Sequence, residues 1–113
     1  MTDRAPPPAF RVLACPAGGG DGVLVLVVAG ALGGADGALA DRVEALLAAG
    51  AHVVVDVTRI DRADVGAVAA LARLQLRMRA RGGSIRLRGA STELRTVLVL
   101  LGLDRALPAD DGR

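Results

Sequence analysis

Apolar residues along the chain form two kinds of segment, short continuous runs and runs with helical spacing, which follow one another in turn. Residues 23–28 are an unbroken run of Val and Leu between glycines, which indicates a strand buried on both faces. Residues 53–57 predict a second buried strand, and residues 10–15 a weaker first strand that can pair with residues 23–28 as a hairpin. Residues 85–88 alternate between apolar side chains and arginine, which is typical of a strand with one charged face.

Three segments between or after these runs have helical spacing. The first follows an expected N-cap at Asp36 and ends at Gly50, the second covers residues 65–81, and the third runs from an N-cap at Ser91 to Gly102. The residues expected on the inner faces of the three helices are Leu39, Val43, Leu46 and Leu47, then Ala67, Leu71, Leu74 and Met78, then Leu94, Val97, Leu98 and Leu101.

The element order β-β-α-β-α-β-α predicts a single α/β domain. Its sheet should be mixed and mostly parallel, with four or five strands, an antiparallel first strand and about three main helices. A chain of 113 residues that is 52% apolar suits one core of this kind. We expect the domain to span residues 10–107, with residues 1–9 as a disordered lead-in and residues 108–113 as a polar tail.

Charge is unevenly distributed, although the net charge is only +2. Residues 20–64 are locally acidic, whereas residues 73–95 carry seven arginines and one acid. The basic stretch lacks interleaved aromatic residues and any DNA-reading motif, so nucleic acid is not an expected partner. Two interpretations of the basic stretch remain open. It forms either a solvated face or a docking surface for an acidic protein or lipid headgroups.

Catalytic and cofactor signatures are missing from the sequence. The glycine-rich stretches 16–22 and 30–37 lack phosphate-loop spacing, and the chain has no lysine. His52 has no cysteine or second histidine to share a metal, and neither Ser84 nor Ser91 has an adjacent base. We therefore expect no enzyme activity, no cofactor and no metal. Three carboxylates, those of Asp56, Asp61 and Asp64, could do acid–base chemistry. No nucleophile or cofactor signature accompanies them.

Targeting and redox features point to the cytoplasm. Cys15 is the only cysteine, so no disulfide can form within the chain. No apolar run is long enough to cross a membrane, and the N-terminal residues do not read as a signal peptide. We expect a cytoplasmic protein without direct membrane insertion.

The second helix has a second apolar stripe opposite its expected core face. At 100° per residue the stripe consists of Val65, Ala69, Ala72 and Leu76. A helix that is apolar on two opposite faces is either flanked by other helices or presents one face to a partner. The sequence leaves both interpretations open.

The chain from residue 53 to residue 107 resembles the STAS family of sulfate transporters and anti-sigma factor antagonists. The residues that carry the likeness are VVVDVTRIDRADVGAVAALARLQLRMRARGGSIRLRGASTELRTVLVLLGLDRAL. They match a buried strand ending in Asp and a small polar residue, an Asp that opens a helix, an Arg-rich helix end with Gly-Gly, and a last helix closing in Gly-Leu-Asp. The resemblance extends more weakly back to residue 10.

One departure from the family pattern concerns the start of the second helix. In anti-sigma factor antagonists a kinase phosphorylates the first Ser after that Asp, which releases the antagonist. Val65 stands at this position, followed by Gly66 and Ala67, and none of the three can accept phosphate. The resemblance implies that a partner docks here, on residues 60–64 and the second stripe, flanked by arginines. The expected partner-binding residues are Asp61, Arg62, Asp64, Val65, Gly66, Ala69, Ala72, Arg73 and Leu76.

The resemblance implies a non-enzymatic regulatory module that binds another protein. One expected partner is the kinase-like ATPase that an anti-sigma factor antagonist binds, in a form that lacks the phosphorylation switch. The alternative is an accessory STAS subunit of a membrane transporter ATPase, including lipid-asymmetry systems.

Overall fold

The computed structural model describes residues 10–16, 24–32, 38–47 and 50–109. These residues form four strands and three helices in the predicted order. The expected cap Asp36, most of both glycine-rich stretches, the expected lead-in and residues 110–113 lie outside the described residues. The elements are β1 (Phe10–Pro16), β2 (Leu24–Gly30), α1 (Ala38–Leu46), β3 (His52–Ile60), α2 (Val65–Ala80), β4 (Ser84–Arg88) and α3 (Thr92–Leu100).

The sheet has the strand order β1-β2-β3-β4. Strand β1 pairs antiparallel with β2, whereas β2 with β3 and β3 with β4 are parallel pairs. The parallel pairs require crossovers, which α1 and α2 provide. The predicted α/β fold, with a mixed sheet and an antiparallel first strand, is therefore confirmed.

One apolar core lies between the sheet and the three helices. Alternate strand residues face it, including Leu26 and Val28 of β2 and Val55 of β3, all of which are fully buried. All four residues expected on the inner face of α2 are buried: Ala67, Leu71, Leu74 and Met78. On the other face of the sheet Val25 and Val54 are also buried, while Val27 is half-buried.

Two residues expected in the core are exposed instead, and both lie at helix ends. Leu46 is the last residue of α1, and Leu47 takes the buried position after it. Leu101 caps α3, and Leu103 N–H then donates to the carbonyl of Leu98 at 2.8 Å. Both predictions were wrong because a helical repeat was extended to residues where the helix is already ending.

The outer edge of β4 is bonded to other parts of the chain. Leu87 N–H donates to the carbonyl of Pro108 at 2.8 Å, so the first residues of the expected polar tail lie against the strand. Gln75 of α2, which is only 3% exposed, bonds to the backbone of the same strand. Gln75 was not among the residues singled out from the sequence, although a polar residue beside a predicted core stripe is the signal that could have drawn attention to it.

Candidate functional site

The start of α2 is fixed by Asp64, which is its N-cap. The Oδ1 atom of Asp64 accepts a hydrogen bond from Ala67 N–H at 2.9 Å, and its carbonyl accepts from Val68 N–H at 3.1 Å. Before it, Asp61 N–H donates to the carbonyl of Gly30 at 2.8 Å, which ties the loop to the end of β2. Val65 is consequently the first residue of the helix, held beside the carboxyl end of the parallel strands.

The second apolar stripe of α2 lies on the protein surface. Val65 is 59% exposed and Leu76 is 68% exposed, and Ala69 between them is exposed as well. Ala72 is half-buried and packs at the margin of the core. The helices that the structure describes therefore do not cover this stripe, although cover by neighbouring helices was one of the two interpretations left open. We call these four residues the α2 surface stripe.

Charged residues of both signs border the α2 surface stripe. Asp61, Arg62 and Asp64 are exposed in the loop before the helix, and Arg73 is exposed about two turns along it. Gly66 is half-buried. The structure thus places the nine expected partner-binding residues on one loop and the helix that follows it, with an apolar strip beside charges. That composition is the usual anatomy of a protein-binding patch.

The other flank of α2 contacts α1 through arginines. Arg77 forms ion pairs with Asp41 and Glu44, and its Nη1 atom lies 3.1 Å from Oε1 of Glu44. Arg81 also pairs with Glu44, with Nη1 3.5 Å from Oε2. The hydrogen bond that Arg77 donates to the Asp41 carboxylate raises the pKa of the Arg77 guanidinium above its ordinary value. Part of the basic stretch therefore connects two helices rather than forming a purely solvated face.

Two of the three carboxylates considered for acid–base chemistry, those of Asp56 and Asp64, form local hydrogen bonds instead. Asp56 accepts from the N–H of Thr58 at 2.9 Å and from its hydroxyl, while Asp64 caps α2. Within the described parts of the chain, no three His, Cys, Asp or Glu side chains are grouped to hold a metal ion. The helices in those parts include none that could cross a membrane.

At the opposite end of β3 the structure corrects one sequence expectation. Ser84 was expected to have no adjacent base, yet the Nδ1 atom of His52 lies 2.8 Å from its Oγ. The two residues are aligned by the parallel pairing of β3 with β4. Thirty-two residues separate them in sequence, so only the strand register brings them together.

Comparisons with known proteins place the chain in a family. Residues 18–109 match the family described as "Mlab, STAS domain". The fold is similar to the crystal structure of an anti-sigma factor antagonist from Mycobacterium paratuberculosis, with a TM-score of 0.69 at 21% identity, over 96% of this chain and 91% of that one. An antisigma-factor antagonist STAS domain from Rhodobacter sphaeroides has a TM-score of 0.51 at 27% identity, over 76% of this chain and 96% of that one.

Among curated protein sequences no significant match was found. The family match nevertheless spans most of the chain, and the solved structures have a similar fold. The protein is a member of the STAS domain family and resembles anti-sigma factor antagonists.

Proposed function

We propose that this protein is a non-enzymatic regulatory module, acting in the cytoplasm, that binds an ATPase partner through the start of α2. The docking surface consists of the loop at residues 60–64 and the α2 surface stripe. The favoured partner is a kinase-like ATPase of the type bound by anti-sigma factor antagonists. The observation that carries the proposal is the exposed apolar stripe directly after the Asp64 cap.

Exposure and charge support this surface. Val65 and Leu76 leave large apolar side chains in water at a cost that a partner would relieve by covering them. The rim carries charges of both signs, on Asp61, Arg62 and Arg73. Such charges orient a partner with a complementary pattern and weaken the binding of proteins that place like charges opposite them.

The residues at the helix start also support a permanently binding-competent form. The helix N-terminus favours an added anion, but residues 64–67 contain no hydroxyl that could carry phosphate. Val65 keeps this point of the surface uncharged. The protein would therefore bind its partner without the release step that phosphorylation provides in the antagonists it resembles.

A charge introduced at the centre of the surface tests the proposal. Immobilised wild-type and variant proteins are exposed to extract of the native cell, and the retained ATPases are identified by mass spectrometry. Val65→Asp should weaken retention of the partner by about thirtyfold, because a partner would have to bury an unpaired charge worth about 2 kcal/mol. Leu76→Glu should act in the same direction.

The chain offers matched controls on α3. Val99 is 63% exposed and Leu100 is 78% exposed, close to the values for Val65 and Leu76. Val99→Asp and Leu100→Glu should leave partner retention unchanged. If the two pairs of variants behave alike, or if all four retain the partner as the wild type does, the docking surface lies elsewhere.

A second candidate is an accessory subunit of a transporter ATPase. The specific observation in its favour is that the matching family bears the description "Mlab, STAS domain" rather than the antagonist name of the two solved structures. The same experiment separates the two functions. A histidine-kinase-like ATPase retained through Val65 supports the first, and a transporter ATPase retained through Val65 supports the second.

A further inference from the structure

A cavity opens on the sheet where β3 and β4 begin, and its lining is rich in hydrogen-bond donors. Its volume is about 290 Å³, and its polar lining residues are His52, Ser84 and Arg86. Val53 and Val54 also line it. It lies at the start of β3, whereas the α2 surface stripe follows the end of that strand, so the two sites are separate.

The strand register brings the polar groups to one place. His52 pairs with Ser84 and Val54 pairs with Arg86 across the parallel ladder. Ser84 and Arg86 are two residues apart on β4, so their side chains leave the same face of the sheet. His52 and Val54 stand in the same relation on β3. An arginine, a histidine and a hydroxyl therefore converge on the cavity.

The charge of the lining selects for an anion. Among the residues that the structure describes, none that lines the cavity is a carboxylate. Arg77 and Arg81 pair with acids of α1, but Arg86 has no ion-pair partner among the residues that the structure describes. A guanidinium with donors still available is the side chain best suited to a phosphate group.

The bond between His52 and Ser84 prepares the hydroxyl for the same role. When Nδ1–H of His52 donates to Ser84 Oγ, which is 2.8 Å away, the Ser84 O–H is left to donate into the cavity. A chain of hydrogen bonds of this kind strengthens each of its members. The anion would thus receive one bond from Ser84 and charge-assisted bonds from Arg86.

We propose that this cavity binds a phosphate group, with Arg86 and Ser84 as direct donors and His52 as the positioning residue for Ser84. The group can belong to free phosphate or to a small phosphomonoester. A volume of about 290 Å³ exceeds what the phosphate group fills, and the apolar lining from Val54 suits the organic part of a monoester.

Titration of ¹⁵N-labelled full-length protein tests the proposal with two probes, inorganic phosphate and phenyl phosphate. Both should cause saturable shifts in the amide signals of His52, Ser84 and Arg86. Equal affinities would assign the site to free phosphate, and tighter binding of phenyl phosphate would assign it to a phosphomonoester. Shifts that increase linearly with concentration and spread over the exposed arginines of the whole chain would overturn the site.

Variants identify the donors. Arg86→Gln should weaken binding by about tenfold or more, and Ser84→Ala by about fivefold, whereas Arg79→Gln on the exposed face of α2 should leave it unchanged. His52→Phe should reduce the affinity of wild-type protein but not that of the Ser84→Ala variant, because a positioning residue acts only through Ser84. Circular dichroism confirms that each variant is folded. Equal effects of Arg86→Gln and Arg79→Gln would show nonspecific charge attraction and overturn the proposal.

Discussion

The side-chain amide of Gln75 forms two hydrogen bonds with the backbone of Ile85, donating from Nε2 to the carbonyl at 3.1 Å and accepting from N–H at 2.8 Å. Gln75 thereby occupies the place that a neighbouring strand would take at this point of β4. Its Nε2 also donates to the carbonyl of Ala106 at 2.6 Å, so one side chain connects α2, the edge strand and the C-terminal segment.

Removing this amide should strongly destabilise the protein. Gln75→Ala leaves the Ile85 N–H and two carbonyls without their partner and opens a cavity, so we expect a loss of about 3 kcal/mol in the free energy of unfolding. Leu76→Ala, at the exposed neighbouring position, should change it by less than about 0.5 kcal/mol. Urea denaturation measures both values. Similar losses for the two variants would mean that the Gln75 bonds contribute little.

The glycine after the α2 turn should not tolerate a side chain. A Cβ atom on Gly83 would lie 2.0 Å from the carbonyl oxygen of Ala51, which itself accepts from Ser84 N–H at 3.1 Å. We expect Gly83→Ala to cost about 3 kcal/mol because backbone atoms would have to move.

Gly50 is the control for this substitution. It has a φ of +81° and no atom within 4 Å of an added Cβ, so Gly50→Ala should cost only about 1 kcal/mol from backbone strain. Thermal denaturation of the two variants in parallel gives the comparison. An order reversed from this one would contradict the close approach of Gly83 to the backbone of Ala51.

A negative charge at Val65 should leave the fold intact even if it blocks a partner. The side chain is exposed in the first turn of α2, where the helix dipole favours an anion, so Val65→Asp should change the free energy of unfolding by less than about 0.5 kcal/mol. Leu71→Ala, on the buried face of the same helix, should cost about 3 kcal/mol. Unfolding caused by Val65→Asp would instead show that the stripe belongs to the core.

A hydroxyl at position 65 should create a phosphate acceptor. Incubated with ATP and a retained kinase-type partner, wild-type protein should carry no phosphate on residues 64–67, and Val65→Ser should acquire one, as read by mass spectrometry. The hydroxyl would stand at a helix N-terminus that stabilises the added charge. Val99→Ser is the matched control on α3 and should remain unmodified. Phosphate between Asp64 and Ala67 in the native protein would refute the expectation directly.

The pairing of α2 with α1 should depend on salt. Arg77→Gln removes the contacts with Asp41 and Glu44, so it should lower stability at low ionic strength. Because exposed charges are screened, the difference from wild type should largely vanish at about 1 M salt. Arg79→Gln, without such a contact in the described structure, should show no salt-dependent difference. A loss that persists at high salt would indicate packing by the Arg77 stem instead.

The sequence by itself determined the element order, the parallel strands and the buried stripe of α2. Ala67, Leu71, Leu74 and Met78 repeat at helical spacing, and local periodicity of that kind records which face of an element is apolar. The caps Asp64 and Ser91 were likewise predictable, because an N-cap bonds to backbone only three residues away. The family resemblance rested on the same local features.

The tertiary structure alone decided whether the second apolar face of α2 is covered by neighbouring helices or exposed to solvent. Periodicity shows that a helix face is apolar but not which other element packs against it, so it could not decide that Val65 and Leu76 are exposed. The tertiary structure also decided two side-chain contacts. Gln75 bonds to Ile85, ten residues further along the chain, and His52 bonds to Ser84, 32 residues further along. Strand register and helix packing set such distances, and neither is expressed in the local sequence pattern.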